Sequence, residues 1–139
     1  MNDALKIAAI KTALTAISWS GIGRLFPASK GRGAIFMMHH VRPKEPRQFD
    51  PNAHLEITPE FLETVILAAK AEGYRPVPLS AIPDLLRHGN PADRYCAFTL
   101  DDGYRNNADF AAPVFRKHGV PYSVFICTGF AERSRIAWW

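Results

Sequence analysis

The sequence predicts an α/β protein built on a parallel sheet. Short apolar runs without helical period, at 34–40, 95–100 and 123–127, alternate with segments whose apolar residues recur every three or four positions. That order of strand, helix, strand, helix, strand, helix, strand is the pattern of a parallel sheet or part of a barrel. Composition agrees: of 139 residues, 47% are hydrophobic and 22% charged, which excludes disorder, collagen and coiled coil.

Taken in order, residues 3–19 read as a helix, because Ile7, Ile10, Leu14 and Ile17 fall on one face. Such a helix can dock on its own domain, on a partner or on a membrane surface. Its polar face is only weakly basic, which favours docking on its own domain. Gly21, Gly23, Pro27, Gly31 and Gly33 mark a flexible connection, so residues 1–32 separate from a compact domain at 33–139. Ala34 to His40 reads as a buried strand, followed by a loop with Pro43, Pro46 and Pro51.

Thr58-Pro59-Glu60 opens a helix, with a capping hydroxyl, a proline at the first helical position and an acid in the positive first turn. That helix carries Phe61, Leu62, Val65, Ile66 and Ala69 and stops at Gly73. Arg75 to Leu79 reads as a strand weakened by two prolines, and Ser80 as the cap of a short helix ending near Gly89. Tyr95 to Leu100 runs as a strand into Asp101-Asp102-Gly103. Asn106 or Asn107 caps the next helix, which turns Phe110, Val114 and Phe115 inward, is kinked at Pro113 and ends at His118-Gly119. Ser123 to Cys127 is the last strand. The final Ala137-Trp138-Trp139 leaves that strand without a covering helix, so the sequence reads as the first, truncated part of a longer fold.

Charge and cysteine content narrow the function classes. The net charge of +4 is scattered, with no basic run and no aromatic-basic stripe, so nucleic-acid binding is set aside. Both cysteines, Cys96 and Cys127, sit in strands and read as reduced core thiols. No apolar run approaches the ~20 residues of a spanning helix. Asp3, Lys6 and Lys11 interrupt what would be a secretory signal, so a cytoplasmic place, with the inner membrane surface as the alternative, is the expectation.

Chemistry in parallel α/β folds gathers at the carboxyl ends of strands, where Asp101 and Asp102 lie. Two adjacent carboxylates after an apolar strand need a cation or donors, and Gly103 clears space beside them. The pair can divide labour, one acid ligating a divalent ion and the other acting as a base. His39 and His40 end the first strand at the same edge and are candidates to line a substrate site; alternation allows at most one to face it. His54, His88 and His118 read as structural or exposed, His118 favourably at a helix carboxyl terminus.

Phe98-Thr99-Leu100-Asp101-Asp102-Gly103-Tyr104 resembles the first motif, Thr-Phe-Asp-Asp-Gly, of the polysaccharide deacetylase family, carbohydrate esterase family 4, which includes nodulation-type chitooligosaccharide deacetylases. Met38-His39-His40-Val41 resembles the family's opening strand end. Arg105-Asn106-Asn107 through His118-Gly119-Val120-Pro121 resembles the following helix and turn, and Tyr122 to Ile126 the next strand. The resemblance covers about Gly33 to Trp139 and implies the first part of a distorted (β/α) barrel.

It also implies metal-dependent hydrolysis of N-acetyl groups on an amino-sugar saccharide, with acetate released. By that resemblance Asp101 is the catalytic base and Asp102 a ligand to a divalent ion, which the resemblance implies to be zinc. Gly103, Tyr104 and Thr128 join the two histidines as substrate-site candidates. Leu100 replaces the family's usual Phe. The family's elements that follow the fourth strand, a His-Ser/Thr-x-x-His element, Arg-x-Pro, Asp-x-x-Asp-Trp and Leu-x-x-His segments, with the leaving-group acid in the last of them, do not occur after Ser123–Cys127 in this sequence. Two alternatives stand beside this reading. One is an inactive remnant that binds sugar or a partner. The other is a magnesium-dependent phosphoryl-transfer fold, which would need a Lys beyond Thr128 where only Arg133 and Arg135 lie.

Overall fold

The computed structural model of the chain describes residues 3–21, 31–50 and 52–136. The connection read at Gly23 and Pro27, Pro51 in the first loop, and the closing Ala137-Trp138-Trp139 lie outside the described residues. The chain divides into two compact units, Met1–Gly31 and Arg32–Trp139. The first contains α1, Asp3–Ser20, the helix read from its apolar spacing. Among the described residues no helix is long and apolar enough to cross a membrane.

The second unit is a parallel sheet with helices packed on it. In order it contains β1 (Gly33–Met38), β2 (His40–Val41), β3 (Glu56–Ile57), α2 (Pro59–Ala71), β4 (Tyr74–Pro76), α3 (Ile82–His88), β5 (Arg94–Asp102), α4 (Ala112–His118), β6 (Tyr122–Ile126) and α5 (Thr128–Ala131). β5 is the central strand. β1 pairs one of its edges from Tyr95 to Leu100. The opposite edge is divided: β4 pairs with Arg94–Cys96 and β6 with Phe98–Asp102. All three pairings are parallel, so the carboxyl ends of β1, β5 and β6 lie at one rim. β2 and β3 form a separate two-stranded parallel ladder.

Strand alternation divides the sheet into two faces. Cys96, Phe98 and Leu100 point into a core with Leu62, Ile66, Ala69, Ala111 and Phe115, contributed by α2 and the helical segment after β5. Phe98 is its centre, its ring 5.0 Å from Phe36 and 5.5 Å from Phe115. On the other face Ile35, Met37 and Phe125 are more than half exposed.

Local chemistry explains where the helices start. Thr58 is extended and its hydroxyl accepts from the Phe61 amide at 3.2 Å, with Pro59 and Glu60 following in the first turn. At the other end of its element, Gly119 takes φ 61° and closes α4. The Arg32 guanidinium donates to the Leu85, Leu86, Gly89 and Asn90 carbonyls, placing a cation on the last turn of α3 and tying it to the start of β1.

Several boundaries differ from the expectation. β4 ends at Pro76, one hydrogen bond from the Val77 amide to the Cys96 carbonyl at 2.9 Å closing the ladder. Ser80 lies inside a 3-10 turn, Leu79–Ala81, and gives no side-chain cap to α3. Neither asparagine caps the helix after β5: Asn106 has helical φ and ψ and sends its side chain elsewhere. A π-helical turn, Asn107–Ala111, precedes α4 and puts Pro113 in the first turn of a new helix, where its missing amide is harmless. The extra residue of that turn rotates the inward face. Asn107, Ala111 and Phe115 are buried, and Phe110 is exposed.

Phe98→Ala should destabilise the domain by about 3–5 kcal/mol, read from the denaturant midpoint at constant m-value. A change below about 1 kcal/mol would remove Phe98 from the centre of the core.

Candidate functional site

The site is assembled where β5 leaves the sheet. Asp101 pairs in register with Phe125, and Asp102 with Ile126. Thr99 and Asp101 share the face of Ile35 and Met37, and with Phe125, Ile126 and Cys127 they line a cavity of about 570 Å3. By alternation Asp102 would point to the helices. Instead it takes φ 68°, which breaks the alternation, and it borders the same cavity as Asp101. Aspartate is among the few side chains that tolerate this conformation. Gly103 follows at φ 71°, and a Cβ there would lie 3.2 Å from the Ile126 side chain. The two successive left-handed residues turn the chain at the rim.

The pair is not symmetric. Asp101 Oδ2 lies 4.0 Å from His39 Nε2, an ion-pair distance whenever the imidazole is protonated. Asp102 Oδ2 is buried and has no hydrogen-bond partner within the described protein. An orphaned carboxylate oxygen on a cavity wall fits a metal ligand, because a buried acceptor without donors is costly. Asp102 would supply one oxygen. Among the described residues no group of three His, Cys, Asp or Glu side chains converges as a metal site requires.

The two histidines separate as alternation demands. His39 faces Asp101, while His40 turns to the segment after β5: its Nδ1 lies 2.9 Å from Asn106 Nδ2, and its ring stacks on Tyr104 at 3.8 Å. Burial, and then the nearby Arg42 guanidinium, hold the His40 imidazole below its ordinary value of 6.5. Gly103 and Tyr104 border a second, smaller cavity of about 230 Å3 with Tyr122 and Val124, and do not line the first. Thr128 is exposed at the start of α5; the residue of that segment on the cavity wall is Cys127. Cys127 is thus half-buried at the site, and only Cys96 is a core thiol. His118 Nε2 donates to Glu63 Oε1 at 2.7 Å, a structural contact.

Sequence reasoning missed the β2–β3 ladder that carries His40. Glu56 in β3 is bound by both Arg42 and Arg47, and Arg47 also reaches Asp50 at 3.2 Å. Two basic residues, Arg42 and Arg47, followed by two acidic ones, Asp50 and Glu56, were the available signal. The Arg42 hydrogen bond, followed by that of Arg47, lowers the Glu56 carboxyl to about 2.

No protein-family model and no curated protein sequence matches this chain. Solved structures do match. The Streptococcus pyogenes deacetylase PplD, solved in complex with acetate, aligns with a TM-score of 0.61 at 24% identity, over 75% of this chain and 46% of its own. The de-N-acetylase of Aggregatibacter actinomycetemcomitans aligns with a TM-score of 0.60 at 18% identity, over 77% of this chain and 42% of its own. This chain has the fold of these deacetylases. IcaB from Ammonifex degensii shares it, with a TM-score of 0.56 at 21% identity over 68% of this chain and 37% of that one. The chain therefore spans less than half the length of each of these structures, and its parallel sheet corresponds to part of their (β/α) barrel. Within the deacetylase-like fold, Asp101 and Asp102 stand at the carboxyl rim of the central strand.

The lowered Glu56 carboxyl has a sign that can be checked. Its contribution to stability is complete above about 4.5, the ordinary value, and is lost as pH falls towards about 2. Glu56→Gln should flatten the fall of the denaturant midpoint between those pH values, and an acid limb identical to the parent's would show that the double arginine contact does not stabilise the fold.

Proposed function

We propose that this domain belongs to a metal-dependent deacetylase that hydrolyses N-acetyl groups on amino-sugar poly- or oligosaccharides and releases acetate. The observation that carries the reading is the unequal acid pair. One carboxylate, Asp102, has a buried oxygen without a hydrogen-bond partner among the described residues; the other, Asp101, lies on the same cavity wall and 4.0 Å from His39. The fold supports it, as does the acetate held by the deacetylase PplD, which is the product of such a reaction.

A divalent ion such as zinc, when bound, supplies Lewis acidity and lowers the pKa of water towards 7. Asp102 would contribute one ligand to it, and the others would come from outside the described residues. Asp101 would take the proton of the attacking water, as a general base must lie within one hydrogen bond of the group that it deprotonates. His39 at 4.0 Å would hold the Asp101 carboxylate in place and, when protonated, balance its charge. Ile35, Met37 and Phe125 would give the acetyl methyl and the sugar ring an apolar floor.

Asp101→Asn should lower acetate release from an N-acetylated chitooligosaccharide by about 10²–10⁴-fold in the intact protein with zinc added, while metal binding persists. Asp102→Asn should weaken zinc binding itself, read by calorimetry. Undiminished acetate release from Asp101→Asn would sink the assignment of the base. Zinc and saccharide binding with no release by the parent would favour the non-catalytic, sugar-binding reading.

A further inference from the structure

Asn106 joins β2 to the turn that carries the acid pair. Its Oδ1 accepts from the Val41 amide at 3.2 Å, and its Nδ2 lies 2.9 Å from His40 Nδ1. A backbone amide can only donate, so the oxygen of the Asn106 side chain must face Val41. The nitrogen end then faces His40, and an NH2 group also only donates. Nδ1 of His40 is therefore the acceptor. A neutral imidazole has one acceptor and one donor, so its proton resides on Nε2. The same ring lies on Tyr104 at 3.8 Å and 28°, two residues beyond Asp102.

We infer that His40 is a positioning residue, fixed by Asn106 as the Nε2–H tautomer, whose ring anchors Tyr104 and with it the Asp101-Asp102-Gly103 turn. The meaning of that turn rests on the deacetylase reading above; the tautomer and the anchoring do not. A proton held on Nε2 and a hydrogen bond accepted at Nδ1 leave neither nitrogen with a free lone pair, so His40 serves neither as base nor as ligand. The charged and titratable groups around it are Arg42 on the following residues, Glu56 on β3, His39 beside it and Asp102 across the rim. Burial and Arg42 favour the neutral ring, in the same sense as the hydrogen-bond geometry. The Asn107 amide donates to the Tyr104 carbonyl at 2.9 Å, which makes that amide a reporter of where Tyr104 sits.

Two-bond proton–nitrogen correlation spectra of the labelled full chain read the tautomer directly. At neutral pH His40 should show a protonated Nε2 and an unprotonated Nδ1. Asn106→Asp offers acceptors to both Val41 and His40, so it should move the proton to Nδ1. A native ring protonated at Nδ1, or a spectrum unchanged in Asn106→Asp, would overturn the tautomer. Anchoring is read separately by hydrogen exchange in His40→Asn, which keeps an acceptor near Nδ1 and removes the ring. Exchange at the Asn107 amide should quicken about tenfold or more while the Phe115 amide, the control for folding, is unchanged. Equal exchange at both would overturn the anchoring. Neither measurement uses zinc or substrate, so absent zinc binding would sink the deacetylase reading alone.

Discussion

Everything in the compact domain is arranged around β5, whose residues Tyr95 to Leu100 are all buried. A strand covered on both faces and paired on both edges cannot slide, because a one-residue slip would exchange Phe98 and Leu100 for Ala97 and Thr99 in the core. That rigidity is what a pair of adjacent carboxylates needs. Asp101 and Asp102 lie at the point where burial ends, and their positions are set by six residues that have no other freedom. The turn beyond them is where His40, Asn106 and Tyr104 gather.

Apolar and ionic links have different tasks around this strand. The sheet–helix core is held by burial of Phe98, Phe115, Leu62 and Ile66, all at 1% exposure or less. The β2–β3 ladder has two residues in each strand: Val41, buried in that core, pairs with Ile57 packed against it, and Glu56 between two arginines adds an ionic link. His40 belongs to that ladder. The rim of the site is therefore attached to the core both through Val41 and Ile57 and through polar contacts, and only the polar share follows pH and salt.

The parallel sheet and the start of α2 were legible because each had several concordant local signals: Thr58-Pro59-Glu60 names a helix start in three independent ways, and Tyr95 to Leu100 has no helical period. The acid pair was legible from its place after such a run, and the fold it implied by resemblance is the one observed. β2 and β3 were not, since two residues cannot show a period. The π-helical turn was hidden as well, because nothing in the spacing of Phe110, Val114 and Phe115 marks an extra residue. Asn106 has the chemistry of a cap, and only the approach of Val41 and His40 from far along the chain assigns it another role. Cys127 took the place expected of Thr128 on the cavity wall because β6 starts and ends one residue earlier than its apolar pattern suggested.

The division of one edge of β5 between β4 and β6 bears on how the chain finds its fold. The cost of closing a loop rises with the logarithm of its length. β6 meets β5 across a single short crossover, whereas β1 reaches it only after β2, β3, α2, β4 and α3 have intervened. Because β4 and β6 occupy successive stretches of the edge, they do not compete, and either pairing can form without blocking the other. Both halves of that edge thus meet their partner across crossovers of similar length, and the pairing with β1 is the one that closes the long loop.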